Sequence, residues 1–196
     1  METDDLHELL YQTLETELGG VQVYQTALRC VLNDDLKEEW ERYLAQTQRH
    51  VEVARAMCEK LGLDPEGETP GRTVARHAGK SLVQGMELAL ASGDAKVAQV
   101  VAAESVMMAE TKDHQNWVLI GKAAKETDGD LAETLEVAYE EIEDEEDEHL
   151  YRVTGWTREL WMQSLGMKAV LPPPEEVKDV KTELAAACIE QSRVAT

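Results

Sequence analysis

Apolar side chains recur at alternating steps of three and four residues through most of this chain, and that spacing limits what it can fold into. A helix with this spacing turns one apolar stripe toward a helical core. The five prolines, at positions 65, 70 and 172 to 174, leave long proline-free tracts in which good helix formers dominate. The sequence therefore predicts an all-α protein.

Glycine, asparagine, aspartate and proline residues between the stripes predict where the helices end. The connection between the second and third long helices, residues 62–94, is far longer than a hairpin turn needs, so we predict an antiparallel four-helix bundle over residues 1–168. The last three prolines separate a tail, residues 169–196, whose helix we expect to pack on the bundle or on a second subunit. The predicted helices cover about 4–31, 34–61, 95–125 and 130–165 in the bundle, about 72–91 in the crossover and 175–193 in the tail.

Polar residues interrupt the apolar stripe of each long helix near its middle. The fourth helix has Glu146 and His149 at core positions, and the other three have Glu17, His50 and Glu110. A lone core histidine is more often a hydrogen-bonded structural residue than a ligand. A buried carboxylate, however, needs a compensating cation or proton, because burial without one costs several kcal/mol. We therefore expect these five residues to form one layer that binds metal.

Two further residues are candidates for the same site. His114 follows Glu110 by one helical turn, with Asp113 nearby, and is either a ligand or a hydrogen-bonding partner of a ligand. Glu143 borders the stripe of the fourth helix and is either a solvated acid or an additional donor. The spacing alone leaves these alternatives open.

The two halves of the chain repeat the same pattern. Adding 99 to positions in the second helix gives the fourth, so that Thr47 corresponds to Glu146 and His50 to His149. Adding 93 to positions in the first helix gives the third, so that Glu17 corresponds to Glu110. We interpret the chain as a duplicated helical hairpin that carries its polar core residues with it.

This set of residues resembles the ferritin-like superfamily, which includes the ferritins and rubrerythrins. The resemblance implies that Glu17 and Glu110 are the two single carboxylate ligands and that Glu146 and His149 form one Glu-x-x-His motif. His50 would be the histidine of the second motif. Thr47 stands where the family has glutamate, so the half of the site near His50 is expected to bind metal more weakly.

Carboxylate and imidazole donors without thiolate suit iron, and also manganese or zinc, so we expect one or two iron ions as cofactor. The three cysteines, Cys30, Cys58 and Cys188, form no CxxC pair, and the chain therefore lacks a rubredoxin-like domain. The formal charge of −21, from 40 acidic and 19 basic residues, favours cations and argues against nucleic acid and membrane surfaces as partners. The N-terminal sequence has no signal-peptide pattern, which favours a cytoplasmic location.

The resemblance implies an iron-dependent redox protein that reacts with dioxygen or peroxide. The tail leaves a homodimer open as an assembly. Three alternatives stay open at this point. They are an iron-storage protein, a hydrolase that uses a zinc-bound water, and a non-enzymatic bundle with a vestigial or structural site.

Overall fold

The computed structural model of the protein describes residues 3–174, and within that range it consists of five α-helices and no strand. This confirms the all-α prediction. The tail helix predicted beyond residue 174 lies outside the described residues. The helices are α1 (Thr3–Ala27), α2 (Asp34–Lys60), α3 (Pro70–Ala91), α4 (Ala95–Lys125) and α5 (Gly129–Ser164).

The helix ends lie close to the predicted breaks because local side chains satisfy the free backbone groups there. The side chain of Asn33 accepts a hydrogen bond from the Leu36 backbone N–H (3.0 Å) at the start of α2. Thr69 caps α3 in the same way through the N–H of Arg72 (3.1 Å). Gly62 follows α2 with φ of +75°, a conformation that glycine adopts without strain. One end differs from the prediction, since α1 stops at Ala27 rather than near residue 31.

Four of the helices form a closed ring in which α1 contacts α2, α2 contacts α5, α5 contacts α4 and α4 contacts α1. The cross-helix hydrogen bonds run in opposite residue order on the two helices of each pair, which makes α1 antiparallel to α4 and α2 antiparallel to α5. The pairs that show this are Glu17 with Trp117, Tyr24 with Glu110, Arg42 with Glu148, and Arg49 with Glu145.

Helix α3 lies outside the ring and packs on α1 and α4. It runs parallel to α1, since Glu15 contacts Arg72 near the start of α3 and Arg29 contacts Glu87 near its end. A 22-residue helix rises about 33 Å, enough to carry the chain back along the bundle before α4 begins. The long crossover predicted between the second and third bundle helices is therefore mostly this helix.

A buried ion pair anchors the crossover to the bundle. Arg72 is 2% exposed, and its Nε donates to Glu15 Oε2 at 2.8 Å. Its Nη1 donates to the backbone carbonyl of Gly67 at 2.8 Å, and Arg76 Nε donates to Glu15 Oε1 at 2.7 Å. These bonds tie α1, α3 and the loop before α3 together.

Glycine allows α3 to approach α1 closely. A Cβ added at Gly79 would lie 3.4 Å from the Cα of Gly19. On another face of α1, a Cβ added at Gly20 would lie 3.1 Å from Cγ2 of Thr47, so that helix α2 is also close. These contacts explain why two consecutive glycines, each costing about 1 kcal/mol of helix propensity relative to alanine, occur in the middle of α1.

The bundle core consists of two apolar clusters with the polar mid-helix residues between them. The first cluster contains Tyr24, Trp40 and Trp156 among its largest members, and the second contains Leu14 and Trp117. Each cluster takes residues from α1, α2, α4 and α5. The antiparallel packing therefore brings the middles of the four helices to the same depth.

Candidate metal centre

The structure brings together the five polar residues that the sequence placed at core positions. We call Glu17, His50, Glu110, Glu146 and His149 the polar layer. None of them is more than 4% exposed. Each lies on the inward stripe of its helix, between members of the first apolar cluster on one side and members of the second on the other.

The polar layer contains two groups whose potential ligand atoms all lie within 4.8 Å of one another, and Glu146 belongs to both. In the first group, His50 Nδ1 is 3.0 Å from Glu146 Oε1 and 3.7 Å from Glu17 Oε1. In the second, His149 Nδ1 is 3.4 Å from Glu110 Oε2 and 3.6 Å from Glu146 Oε1. Three donors at such distances can hold a metal ion, and Glu146 is placed to be shared between two ions.

Several atoms of the layer are buried and lack a hydrogen-bond partner. A buried polar atom without a partner costs on the order of 1–3 kcal/mol, and more when it is charged, so a concentration of them at one depth calls for a compensating cation. Oxygen and nitrogen donors of this kind fit a divalent transition metal. The atoms of the layer are Glu17 Oε2, His50 Nδ1, Glu110 Oε2, Glu146 Oε2 and His149 Nδ1, and the nearby Asp113 adds its Oδ1.

Each histidine is held from outside by its other ring nitrogen. His50 Nε2 is 2.9 Å from Glu145 Oε2, and His149 Nε2 is 3.0 Å from Gln46 Oε1. A hydrogen bond on Nε2 turns Nδ1 toward the centre and fixes the ring orientation. The two rings stack with their centroids 5.7 Å apart.

The carboxylates of α1 and α4 are held by aromatic donors on the opposite helix. Trp117 Nε1 donates to Glu17 Oε1 at 2.7 Å, and Tyr24 Oη donates to Glu110 Oε1 at 2.6 Å. Tryptophan and tyrosine combine an apolar ring with one polar atom, so they exclude water between α1 and α4 while fixing one oxygen of each carboxylate. The second oxygen of each carboxylate is buried and has no hydrogen-bond partner.

These outer contacts are reciprocal between the halves of the chain. Gln46 and Glu145 differ by 99 positions, and each bonds the histidine of the other helix. Tyr24 and Trp117 differ by 93, and each bonds the glutamate of the other helix. The two halves of the layer are thus related by an approximate two-fold axis.

The symmetry is broken where Thr47 corresponds to Glu146. Thr47 Oγ1 donates to the backbone carbonyl of Tyr43 at 2.9 Å, so its hydroxyl is occupied within its own helix. Asp113 supplies a further carboxylate from α4 instead. It is 4% exposed and lies close enough to Glu17 to raise the pKa of that carboxyl group, although it belongs to neither group of converging donors.

Burial and crowding of acids strongly shift the protonation of the layer. Burial raises the pKa of Glu17 well above its usual value, and the nearby Asp113 and Glu146 raise it further. Burial also raises the pKa of Asp113. Burial raises the pKa of Glu146, but the neighbouring His149 and His50 outweigh burial and lower it to about 2. Burial likewise opposes ionisation of His149, but Glu110 and Glu146 raise its pKa to about 10. Without metal, protons balance part of the layer's negative charge.

His114 lies apart from the polar layer, on the outer side of the α4–α5 interface. Its Nδ1 is 3.4 Å from Asp147 Oδ1, and both side chains are partly exposed. Within residues 3–174, it belongs to neither group of converging donors. Glu143 is partly exposed, and together with burial it raises the pKa of Tyr139.

Sequence reasoning gave no role to Glu145 and Gln46 and only a loose one to Asp113. Asp113 follows Glu110 by three residues, which is the same spacing that joins Glu146 to His149, so the signal was present. Glu145 is one of many acids in its segment, and its contact with another helix could not be distinguished from solvation. The offset of 99 between α2 and α5 relates Glu145 to Gln46, and this correspondence could have indicated a shared role.

Comparison with known proteins gives no match, whether to a family model, to a curated protein or to a solved structure. In the described part of the chain, no helix combines the length and the apolar character needed to cross a bilayer. The geometry of the polar layer is therefore the feature of this chain that bears on its function.

Proposed function

We propose that this chain is a ferritin-like metalloprotein that binds two transition-metal ions in its polar layer and reacts with dioxygen or peroxide. The observation that carries the proposal is the convergence of buried donor atoms without partners, including both histidine Nδ1 atoms, from four helices. A glutamate from each of two helices and Glu-x-x-His motifs from the other two is the arrangement of di-metal bundles of this kind.

The distances suggest which residues serve each ion. Glu17 and His50 would hold one ion, Glu110 and His149 would hold the other, and Glu146 would be shared. We infer that Asp113 replaces the carboxylate that is absent at Thr47, since it lies beside Glu17 and has one buried oxygen without a partner. The site then has four carboxylates and two imidazoles, with three of the carboxylates on α4 and α5.

Iron is the metal that we favour, followed by manganese and zinc, because all the donors are oxygen or nitrogen. Bound iron would supply the redox chemistry. The protein's own contribution is to orient the donors and exclude water: Tyr24 and Trp117 fix Glu110 and Glu17, and the two apolar clusters cover the layer on both sides. Such a closed centre admits small oxygen species more readily than a bulky hydrolysable substrate.

Metal analysis of protein made in iron-replete medium tests the binding. We expect close to two equivalents of iron per chain. The triple variant Glu110→Ala, Glu146→Ala, His149→Ala should lose them while keeping its helical content. Anaerobic ferrous protein mixed with dioxygen or peroxide should be oxidised faster than free ferrous ion and should develop near-ultraviolet absorption.

One observation favours a rival, a structural bundle whose layer is held by hydrogen bonds alone. Protonated His149 beside ionised Glu146 balances part of the layer without metal. Less than about 0.2 equivalents of any metal bound to a fully helical protein would favour this rival. Retention of zinc against excess iron, with no acceleration of ferrous oxidation, would instead favour a zinc site.

A further inference from the structure

The two histidines of the polar layer differ in the residue that holds them from outside. His149 bonds the neutral amide of Gln46, whereas His50 bonds the carboxylate of Glu145. The side chain of His50 is fully buried, but that of Glu145 is 26% exposed. Glu145 therefore reaches from the solvent to the ring of a proposed ligand, and it precedes the shared carboxylate Glu146 in the chain.

The α1–α4 wall of the layer offers no comparable route among the described residues. On the α1–α4 wall, Tyr24 and Trp117 are each 1% exposed and bond the inner carboxylates directly. Helix α3 packs over the outside of that wall. An ion crossing there would have to displace buried aromatic rings.

The α2–α5 interface is instead bridged by exposed ion pairs. Arg49 Nη2 lies 2.7 Å from Glu145 Oε2, and Arg42 Nη2 lies 2.6 Å from Glu148 Oε1. The Arg49 side chain is 45% exposed. Exposed ion pairs contribute only about 0–1 kcal/mol, so these can open and close at little cost.

We propose that Glu145 is the carboxylate through which a divalent cation enters the centre between α2 and α5. The cation displaces Arg49 from the exposed Glu145 carboxylate, and rotation of that side chain away from His50 Nε2 carries the ion past the ring to Glu146. Exposed acids on the same helix attract cations to this face and raise their local concentration. They are Glu141, Asp144 and Glu148. The inference rests on the proposed metal-binding function and adds the route of loading.

The test is stopped-flow uptake of cobalt(II) by metal-free protein, followed by visible absorption, with the dissociation constant measured separately. Glu145→Gln should slow uptake on the order of tenfold. Uptake and release should slow by the same factor, because a residue on the route is not a ligand of the bound ion. Asp144→Asn removes the same charge from the neighbouring exposed position and should stay within about twofold of the native rate. Arg49→Gln should speed uptake.

A purely positioning role for Glu145 predicts a different pattern. Glu145→Gln would then weaken binding through faster release while uptake kept its native rate, and that result would overturn the proposed route. Equal slowing by Glu145→Gln and Asp144→Asn would also overturn it, since general surface charge would then explain the rate. If native protein binds no cobalt at equilibrium, the proposed function itself fails. Normal binding with unchanged uptake in Glu145→Gln refutes only the route.

Discussion

Loading the polar layer with metal should release two protons near pH 7. The pKa of His149 is about 10 in the metal-free protein, because Glu110 and Glu146 outweigh the opposing effect of burial, so its ring carries a proton at neutral pH. Burial and repulsion from neighbouring acids raise the pKa values of Glu17 and Asp113, and we expect this pair to keep one proton between them. A metal ion on these donors displaces both protons.

For each proton released, the apparent free energy of metal binding becomes more favourable by about 1.4 kcal/mol with every unit by which pH rises. Two protons therefore correspond to a change in apparent affinity of about a hundredfold per unit between pH 6 and pH 8. Titration calorimetry with cobalt(II), repeated in buffers of different ionisation enthalpy, measures the number directly. Asp113→Asn removes the shared proton, so that variant should release one proton instead of two.

Full loading without proton release would refute this assignment of charges. Release of two protons by Asp113→Asn would refute the Glu17–Asp113 pair as the source of the second proton. In that case the native layer would bind metal with both of those acids already ionised.

Two further predictions concern stability. The pKa of His149 is raised from its ordinary value of 6.5 to about 10, so protonation of this residue stabilises the metal-free fold fully below pH 6.5, and the contribution is lost as pH rises to 10. The melting temperature of the metal-free protein should therefore fall across this window. A melting temperature that does not change with pH, measured by circular dichroism, would contradict this. Arg72→Leu should lower the free energy of unfolding by about 3 kcal/mol because it breaks a buried ion pair. Arg76→Leu, at a site 31% exposed, should lower it clearly less. If urea unfolding gives equal losses for the two variants, Arg72 is not the anchor of the crossover.

The sequence predicted the helices and the depth of the polar layer because both depend on local spacing. A stripe at steps of three and four fixes which face of a helix is buried, and capping residues such as Asn33 and Asp94 fix where the helix begins. Antiparallel packing then brings mid-helix residues together. His50 and Glu146 could be paired from these facts alone.

The finer contacts could not be predicted from local spacing, because they depend on how far each helix is rotated about its axis. Glu110, Asp113 and His114 all lie within one turn of α4, and only the observed rotation directs Asp113 toward Glu17 and leaves His114 beside Asp147. A change of register by one residue moves a side chain by about 100° around the helix. That is enough to exchange a buried position for an exposed one.

The approximate two-fold axis of the layer has a consequence for how its halves can specialise. A duplicated hairpin begins with two identical halves, and two ions bound across the axis would then behave alike. On one side of the axis, Gly20 and Thr47 pack against each other. On the other side, Asp113 corresponds to Gly20 through the offset of 93, and Glu146 corresponds to Thr47 through the offset of 99. Loss of equivalence at these four positions concentrates the negative charge of the layer on the α4–α5 hairpin, so the two halves no longer offer the same donors to the proposed ions.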